Sequence, residues 1–248
     1  MLEVNKNMLN KLKPLFKDIR FYMGRSVLDG MLGEAFTDNL DSPRYAYLHC
    51  KSYHFINGEI TEEELKEIVS KAIKNEKCVI VPSDEIGEML EKLYKDNFYK
   101  KERYSIKKNP SFDKNKLESF VKKLNPIYEL KDIDKELSER IKKENFRNIT
   151  DNFEKYGIGA CCLYNNELIG VCSSNIIYKD GIEVNIRVKE EYQRQGIATA
   201  MASKLILDCL KCGKKISWDA ANLNSLELAE KLGFEYDSTY YVYLYQNK

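Results

Sequence analysis

The residues best placed to do chemistry form one run. Glu183-Val184-Asn185-Ile186-Arg187-Val188 alternates like a strand, and Gln193-Arg194-Gln195-Gly196-Ile197-Ala198 then opens an apolar helical stretch that reaches about Cys212. A strand feeding a glycine-bearing loop and then a helix brings backbone N–H groups and the positive end of a helix dipole to one point, which suits a phosphate or pyrophosphate. Gly196 allows a ligand close to the backbone, and the small Ala198 leaves the first turn open. A glycine at a helix start also serves as a plain N-cap, so the loop alone assigns nothing.

A second pattern follows. Lys214 to Trp218 reads as a short strand, and Asn222 precedes a helix that ends at Leu232-Gly233-Phe234, where Gly233 is a helix stop and Phe234 a core residue. The two runs together resemble motifs A and B of the GNAT superfamily of N-acetyltransferases. Asn222 stands at the motif's Asn, and Ser225 where the family usually has Ala. The combination Trp218-Asp219-Ala220, Asn222, Ser225 and Leu228-Ala229 is similar to the subgroup that contains the zwittermicin A resistance protein. The resemblance covers about residues 126–248.

That resemblance implies an acetyl-CoA-dependent N-acetyltransferase with no metal. Ile186, Arg187 and Val188 would contact the pantetheine arm, and Gln193, Arg194, Gln195, Gly196, Ile197, Ala198 and Thr199 would cradle the pyrophosphate. Asn222, with Ser225 nearby, would contact the co-substrate from the far wall, and the Val188 N–H would face the developing oxyanion. Glu183 is the candidate general base, because an amine acceptor is mostly protonated at pH 7. Alternation puts Glu183 and Val188 on opposite strand faces unless a bulge intervenes. Many relatives carry a Tyr where this chain has Ala229, so the general acid is unassigned among Tyr236, Tyr240, Tyr241, Tyr243 and water. The implied acceptor is a primary amine of a small molecule, antibiotic-like or metabolic; a homodimer stays open.

Other chemistry-bearing residues have plainer readings. Cys209 shares a helical stripe with Met201 and Leu205, so packing explains Cys209-x-x-Cys212 better than zinc. Cys161 and Cys162 are adjacent in a strand and point to opposite faces. His49 and His54 read as hydrogen-bonded packing residues, and the Lys100-Lys101-Glu102-Arg103 run as a solvated face.

With 248 residues, 43% hydrophobic, the chain can bury a sizeable core. Forty Lys+Arg against 39 Asp+Glu leave a net charge of +1, no field for nucleic acid or an anionic membrane. No stretch approaches a membrane span, the N-terminus lacks the apolar run of a signal peptide, and seven cysteines, an odd number, point to reduced thiols. A soluble cytoplasmic protein is expected.

These motifs require an α/β scaffold, and the resemblance specifies it as a mixed, mostly antiparallel sheet flanked by helices. Helical material is expected from Lys6 to Phe36, divided at Pro14; a strand pair over Tyr45 to Ile56 closes at Asn57-Gly58; and Thr61 with Glu64 forms a capping box. A strand at Cys78 to Val81 leads to a helix from Ser83 and a strand over Tyr99 to Ile106. Asn125-Pro126 marks the expected boundary between an N-terminal α/β domain (1–125) and the acetyltransferase domain (126–248). The latter reads as a strand, a helix over Asp134 to Phe146, a short helix near Thr150 to Tyr156, then three antiparallel strands turning at Asn165-Asn166 and Asp180-Gly181. The N-terminal half is either a degenerate copy of the same fold or a lid that shapes the acceptor site.

Overall fold

The structure, a computed structural model, describes residues 1–17, 22–74, 78–146 and 153–246. In chain order the elements are β1 (Leu2–Glu3), a 3-10 helix (Lys6–Phe16), α1 (Tyr22–Leu28), β2 (Glu34–Thr37), β3 (Tyr45–Cys50), β4 (Tyr53–Gly58), α2 (Glu62–Ala72), β5 (Val79–Pro82), α3 (Asp84–Tyr94) and β6 (Phe98–Ile106). There follow α4 (Lys114–Lys122), β7 (Glu129–Asp132), α5 (Lys135–Lys143), α6 (Phe153–Tyr156), β8 (Gly159–Tyr164), β9 (Glu167–Tyr178) and β10 (Gly181–Val188). A 3-10 turn (Glu190–Tyr192), α7 (Ile197–Lys211), β11 (Lys215–Ser217), α8 (Leu223–Leu232) and β12 (Tyr236–Tyr245) complete the chain. No described helix is long and apolar enough to cross a membrane.

The chain divides into two compact units, Met1–Arg103 with Thr239–Lys248, and Tyr104–Ser238. The cut expected at 125/126 lies inside the second of these. Leu117 of α4 is fully buried in the same cluster as Met201 and Leu205 of α7, which ties α4 to the later residues. At the other end, Tyr243 of β12 is buried with Leu65, Ile68 and Leu90, so the chain's last strand belongs with its beginning.

The first unit's sheet has the order β1-β2-β3-β4-β5-β12-β6, and the second unit's sheet the order β11-β10-β9-β8-β7. Each contains the same connection. In the first, the antiparallel hairpin β3/β4 continues through α2 into β5, parallel to β4; in the second, the antiparallel pair β9/β10 continues through α7 into β11, parallel to β10. A parallel neighbour needs a crossover longer than a tight turn, and a helix fills it both times. The first unit thus repeats the connection that carries the glycine loop in the second.

Local chemistry explains several element boundaries. The Thr61/Glu64 capping box starts α2, while Asp113, Asp134 and Asn222 accept N–H bonds at the starts of α4, α5 and α8. Asn165 and Asn166, with φ 48° and 61°, make the two-residue β8/β9 turn. Two N-terminal expectations differ. The helical reading of 6–36 overran, since Glu34–Thr37 pairs with β3 as a strand. The β3/β4 hairpin turns at Lys51-Ser52, with Lys51 at φ 56°, whereas Gly58 lies opposite Tyr45 within the ladder. The part of the expected 150–156 helix before Phe153 lies outside the described residues.

The second unit's sheet is covered on both faces. Ile182, Cys162, Ile169 and Cys172 pack with Met201, Leu205 and Ile206 of α7, while Cys161, Leu163, Leu168 and Val171 pack with Ile141 of α5 and Phe153 of α6. Cys161 and Cys162 therefore belong to different cores and cannot bridge.

Candidate active site

β10 builds the site because its two neighbours end differently. It pairs with β9 along its whole length but with β11 over only Gly181, Ile182 and Glu183. Lys189 donates its N–H to the Ile169 carbonyl at 2.9 Å. Hydrogen-bonded pairs in an antiparallel ladder alternate, so Arg187 and Asn185 turn their backbone groups to β9 while Val184, Ile186 and Val188 turn theirs to the edge that β11 has vacated. Of the three expected pantetheine contacts, Ile186 and Val188 thus present backbone to the open edge. Arg187 does not: its guanidinium donates to the Phe146 carbonyl at 2.9 Å and lies 5.6 Å from that ring's centre.

No bulge intervenes in β10 between Glu183 and Val188: where the ladder shifts, between Glu183 and Val184, the extra residue is Asn175 on β9. β10 keeps its alternation. Ile182, Val184, Ile186 and Val188 face the cluster beneath α7, which puts Glu183 on the other face. Five residues of regular strand, about 16 Å, separate Glu183 from Val188, so a proton released beside the Val188 amide would reach Glu183 through water. Glu183 is buried and accepts a hydrogen bond from the Ser217 hydroxyl at 2.9 Å.

Beyond β10 the loop turns back on itself through two left-handed residues, Arg194 at φ 61° and Gly196 at φ 81°. Gly196 caps α7 with no side chain to bond the first amides, no acidic residue stands in the first turn, and a Cβ added at Gly196 would meet nothing within 4 Å. The N–H groups of Ile197, Ala198 and Thr199 are therefore open to an external acceptor. The side chain of Ile197 is buried in the core, which leaves its amide as the group it can contribute.

Side chains hold this loop from several sides. The Tyr128 hydroxyl donates to Gln195 Oε1, the Gln195 amide donates to the Glu191 carbonyl at 3.3 Å, and Gln193 Nε2 donates to the Val188 carbonyl at 3.3 Å. Arg194 reaches Asn224 Oδ1 at 3.4 Å, and the Lys231 ammonium donates to Thr199 Oγ1 at 3.3 Å. Asn224 stands at the start of α8 and Lys231 at its end, so the two contacts set α8 alongside the start of α7. Tyr128, Asn224 and Lys231 were not legible as site residues, because each reaches the loop across a long stretch of sequence.

Asn222 and Ser225 lie at the α8 N-terminus, each with a local partner. Asn222 Oδ1 accepts from the Ser225 N–H at 2.9 Å, and Ser225 Oγ accepts from Trp218 Nε1 at 3.0 Å. Ala229 is fully buried. Among the tyrosines considered as acids, Tyr236 belongs to the second unit; Tyr240, Tyr241 and Tyr243 belong to the first, where Tyr240 accepts from Arg103 and Tyr243 donates to Glu91. Burial pushes the Cys209 thiol up to about 12, away from nucleophilic use. Among the described residues no three His, Cys, Asp or Glu side chains converge as a metal site would need.

Known proteins share this fold. A GCN5-related N-acetyltransferase-like protein from Streptococcus suis 89/1591 superposes with a TM-score of 0.87 at 30% identity, over 97% of this chain and 99% of that one. YdfB of Bacillus subtilis strain 168, an uncharacterised N-acetyltransferase, is 25% identical over 97% of both chains. A tandem GNAT protein from the clavulanic acid biosynthesis pathway shares the fold, with a TM-score of 0.58 at 10% identity over 98% of this chain and 97% of that one. Residues 13–243 match the GNAT acetyltransferase family, and the chain belongs to that family.

Proposed function

We propose that this GNAT acetyltransferase uses acetyl-CoA to acetylate a primary amine of a small molecule, with the amine attacking the thioester directly. One observation carries the reading. The same strand–helix–parallel strand connection occurs twice, and only one of the two helix starts suits an anion. At α2, Thr61 and Glu64 occupy the cap, and Glu62, Glu63 and Glu64 crowd the first turn. At α7, Gly196 leaves the amides open and no carboxylate stands nearby in the first turn. A pyrophosphate would be repelled at the first and held at the second.

The residues on the open edge fit the rest of such a ligand. Bound acetyl-CoA supplies a thioester carbonyl open to attack. Ile186 and Val188 offer backbone groups along the pantetheine arm, the Val188 N–H stabilises negative charge as it develops on the carbonyl oxygen, and Glu183 accepts the amine proton through water. Arg194 and Lys231 add positive charge beside the loop. Water supplies the proton that a tyrosine gives in many relatives, since Ala229 has no hydroxyl and a thiolate needs little assistance to leave.

The subgroup resemblance through Trp218, Asp219, Ala220 and Ser225 favours a small, hydroxyl-bearing amine of antibiotic-like or metabolic origin over a protein or nucleic-acid acceptor. Six of the seven free cysteines are buried, which fits a reducing cytoplasm without requiring it.

The buried Ala229 also favours a second reading, an acyl-CoA-binding module without turnover. Incubation with acetyl-CoA and a panel of small primary amines, following the free CoA thiol, separates the two. Amine-dependent thiol release that collapses in Glu183→Gln supports the enzyme. Tight acetyl-CoA binding with no thiol release on any amine supports the module, and no binding removes both.

A further inference from the structure

Glu183 and Ser217 are the last residues that β10 and β11 pair before the strands part, and both are buried, at 6% and 5% exposure. The Ser217 Oγ stands 2.9 Å from Glu183 Oε2 and 3.1 Å from the carbonyl oxygen of Ile182. A hydroxyl carries a single proton, so it can serve only one of these acceptors at a time.

We infer that Ser217 is a positioning residue for Glu183: its hydroxyl donates to the ionised carboxylate while that group awaits the amine proton, and turns to the Ile182 carbonyl once the carboxyl is protonated. The inference rests on the reading of Glu183 as the base. The proton balance is simple. The amine proton passes to Glu183, Ser217 keeps its own, and the Ser217 oxygen becomes an acceptor for the new carboxyl O–H. With the proton on Oε2, a donor that could not retract would set two O–H groups against each other, and a site without the donor would leave a buried carboxylate short of a hydrogen bond. The second acceptor, one residue before Glu183 on the same strand, resolves both problems at the apex of the β10/β11 opening.

The test compares kcat and KM of the full chain with acetyl-CoA and an accepted amine. Ser217→Ala is expected to lower kcat about ten- to hundredfold, the range for losing a hydrogen bond to a charged group, with the KM for acetyl-CoA unchanged. Ser217→Thr keeps the hydroxyl and recovers most of the loss. Ser217→Val has the shape of Thr without the hydroxyl and does not recover it, which keeps the test valid if the Ala variant folds poorly. In Glu183→Gln the added Ser217→Ala change should cost nothing further, because the two residues act as one unit. Wild-type kcat in Ser217→Ala, equal kcat in the Thr and Val variants, or losses that multiply in the double variant would overturn the inference. Wild-type turnover in Glu183→Gln would instead remove the base reading, and absence of turnover by the unaltered chain would remove the proposed activity; the inference falls with either.

Discussion

The Tyr128 hydroxyl donates to Gln195 Oε1, so the turn ahead of β7 holds the loop ahead of α7. The Tyr128 ring also packs edge-on against Tyr164 and Tyr192, with centres 5.7 Å and 6.4 Å away. Ring and hydroxyl therefore have separable duties: the ring joins the core, and the hydroxyl fixes the loop.

Tyr128→Phe should keep the ring contacts and release Gln195. The expected result is a CoA dissociation constant raised about three- to tenfold, the value of one ordinary hydrogen bond, with the melting temperature barely changed. Titration calorimetry reads the first and a thermal scan the second. An unchanged dissociation constant would show that the loop holds its shape without Tyr128.

Gly196 separates folding from binding more sharply. Its φ of 81° costs an L-residue about 1–2 kcal/mol, yet a side chain there would meet nothing within 4 Å, so Gly196→Leu should fold. The new side chain would stand in the space before the α7 amides, and CoA affinity should be lost. Calorimetry that finds wild-type affinity in a folded Gly196→Leu protein would remove the loop as the phosphate site, and the proposed function with it.

What the sequence made legible was local. The strand–loop–helix run at 183–212, the Asn222 cap and the left-handed Gly233 each follow from the residues at the position itself, and each recurs in the structure. Long-range partnerships were not legible. Nothing near Ser217 announces that it faces Glu183, and nothing near Tyr243 announces that the last strand packs with Leu65 and Leu90. The irregularity beside Glu183 is the instructive case. Whether a bulge falls between Glu183 and Val188 was open in the sequence; the extra residue, Asn175, is on the partner strand, and strand pairing decides that. The hairpin at Lys51-Ser52 shows the same limit, since register with β3 overrode the turn preference of Asn57-Gly58.

Leu117 tests the grouping of α4 with the second unit. It is fully buried against the cluster that includes Met201 and Leu205 of α7, so Leu117→Ala leaves a cavity and should cost about 2–5 kcal/mol. Denaturant unfolding should show a lower midpoint. A loss below about 1 kcal/mol would mean that α4 is not an integral part of that core.

His54 makes a pH-dependent contribution whose sign follows from its surroundings. Burial, aided by His49 stacked at 4.7 Å, lowers its pKa to about 3. Burial also pushes the Tyr47 hydroxyl up, so Tyr47 stays neutral, and its hydroxyl shares a hydrogen bond with His54 Nδ1 at 2.8 Å. The imidazole is thus neutral in the folded chain, whereas in the unfolded chain it takes up a proton below about pH 6.5. Between those values the unfolded state binds the extra proton, so stability falls as pH falls from about 6.5 towards 3, by at most about 1.4 kcal/mol per pH unit from this residue. Gln at this position carries both a donor and an acceptor for Tyr47 but does not titrate. Denaturant unfolding of the unaltered chain and of His54→Gln at pH 7.0 and 5.0 should therefore show the steeper acid loss in the unaltered chain. Equal losses in the two proteins would mean that His54 already carries its proton when folded.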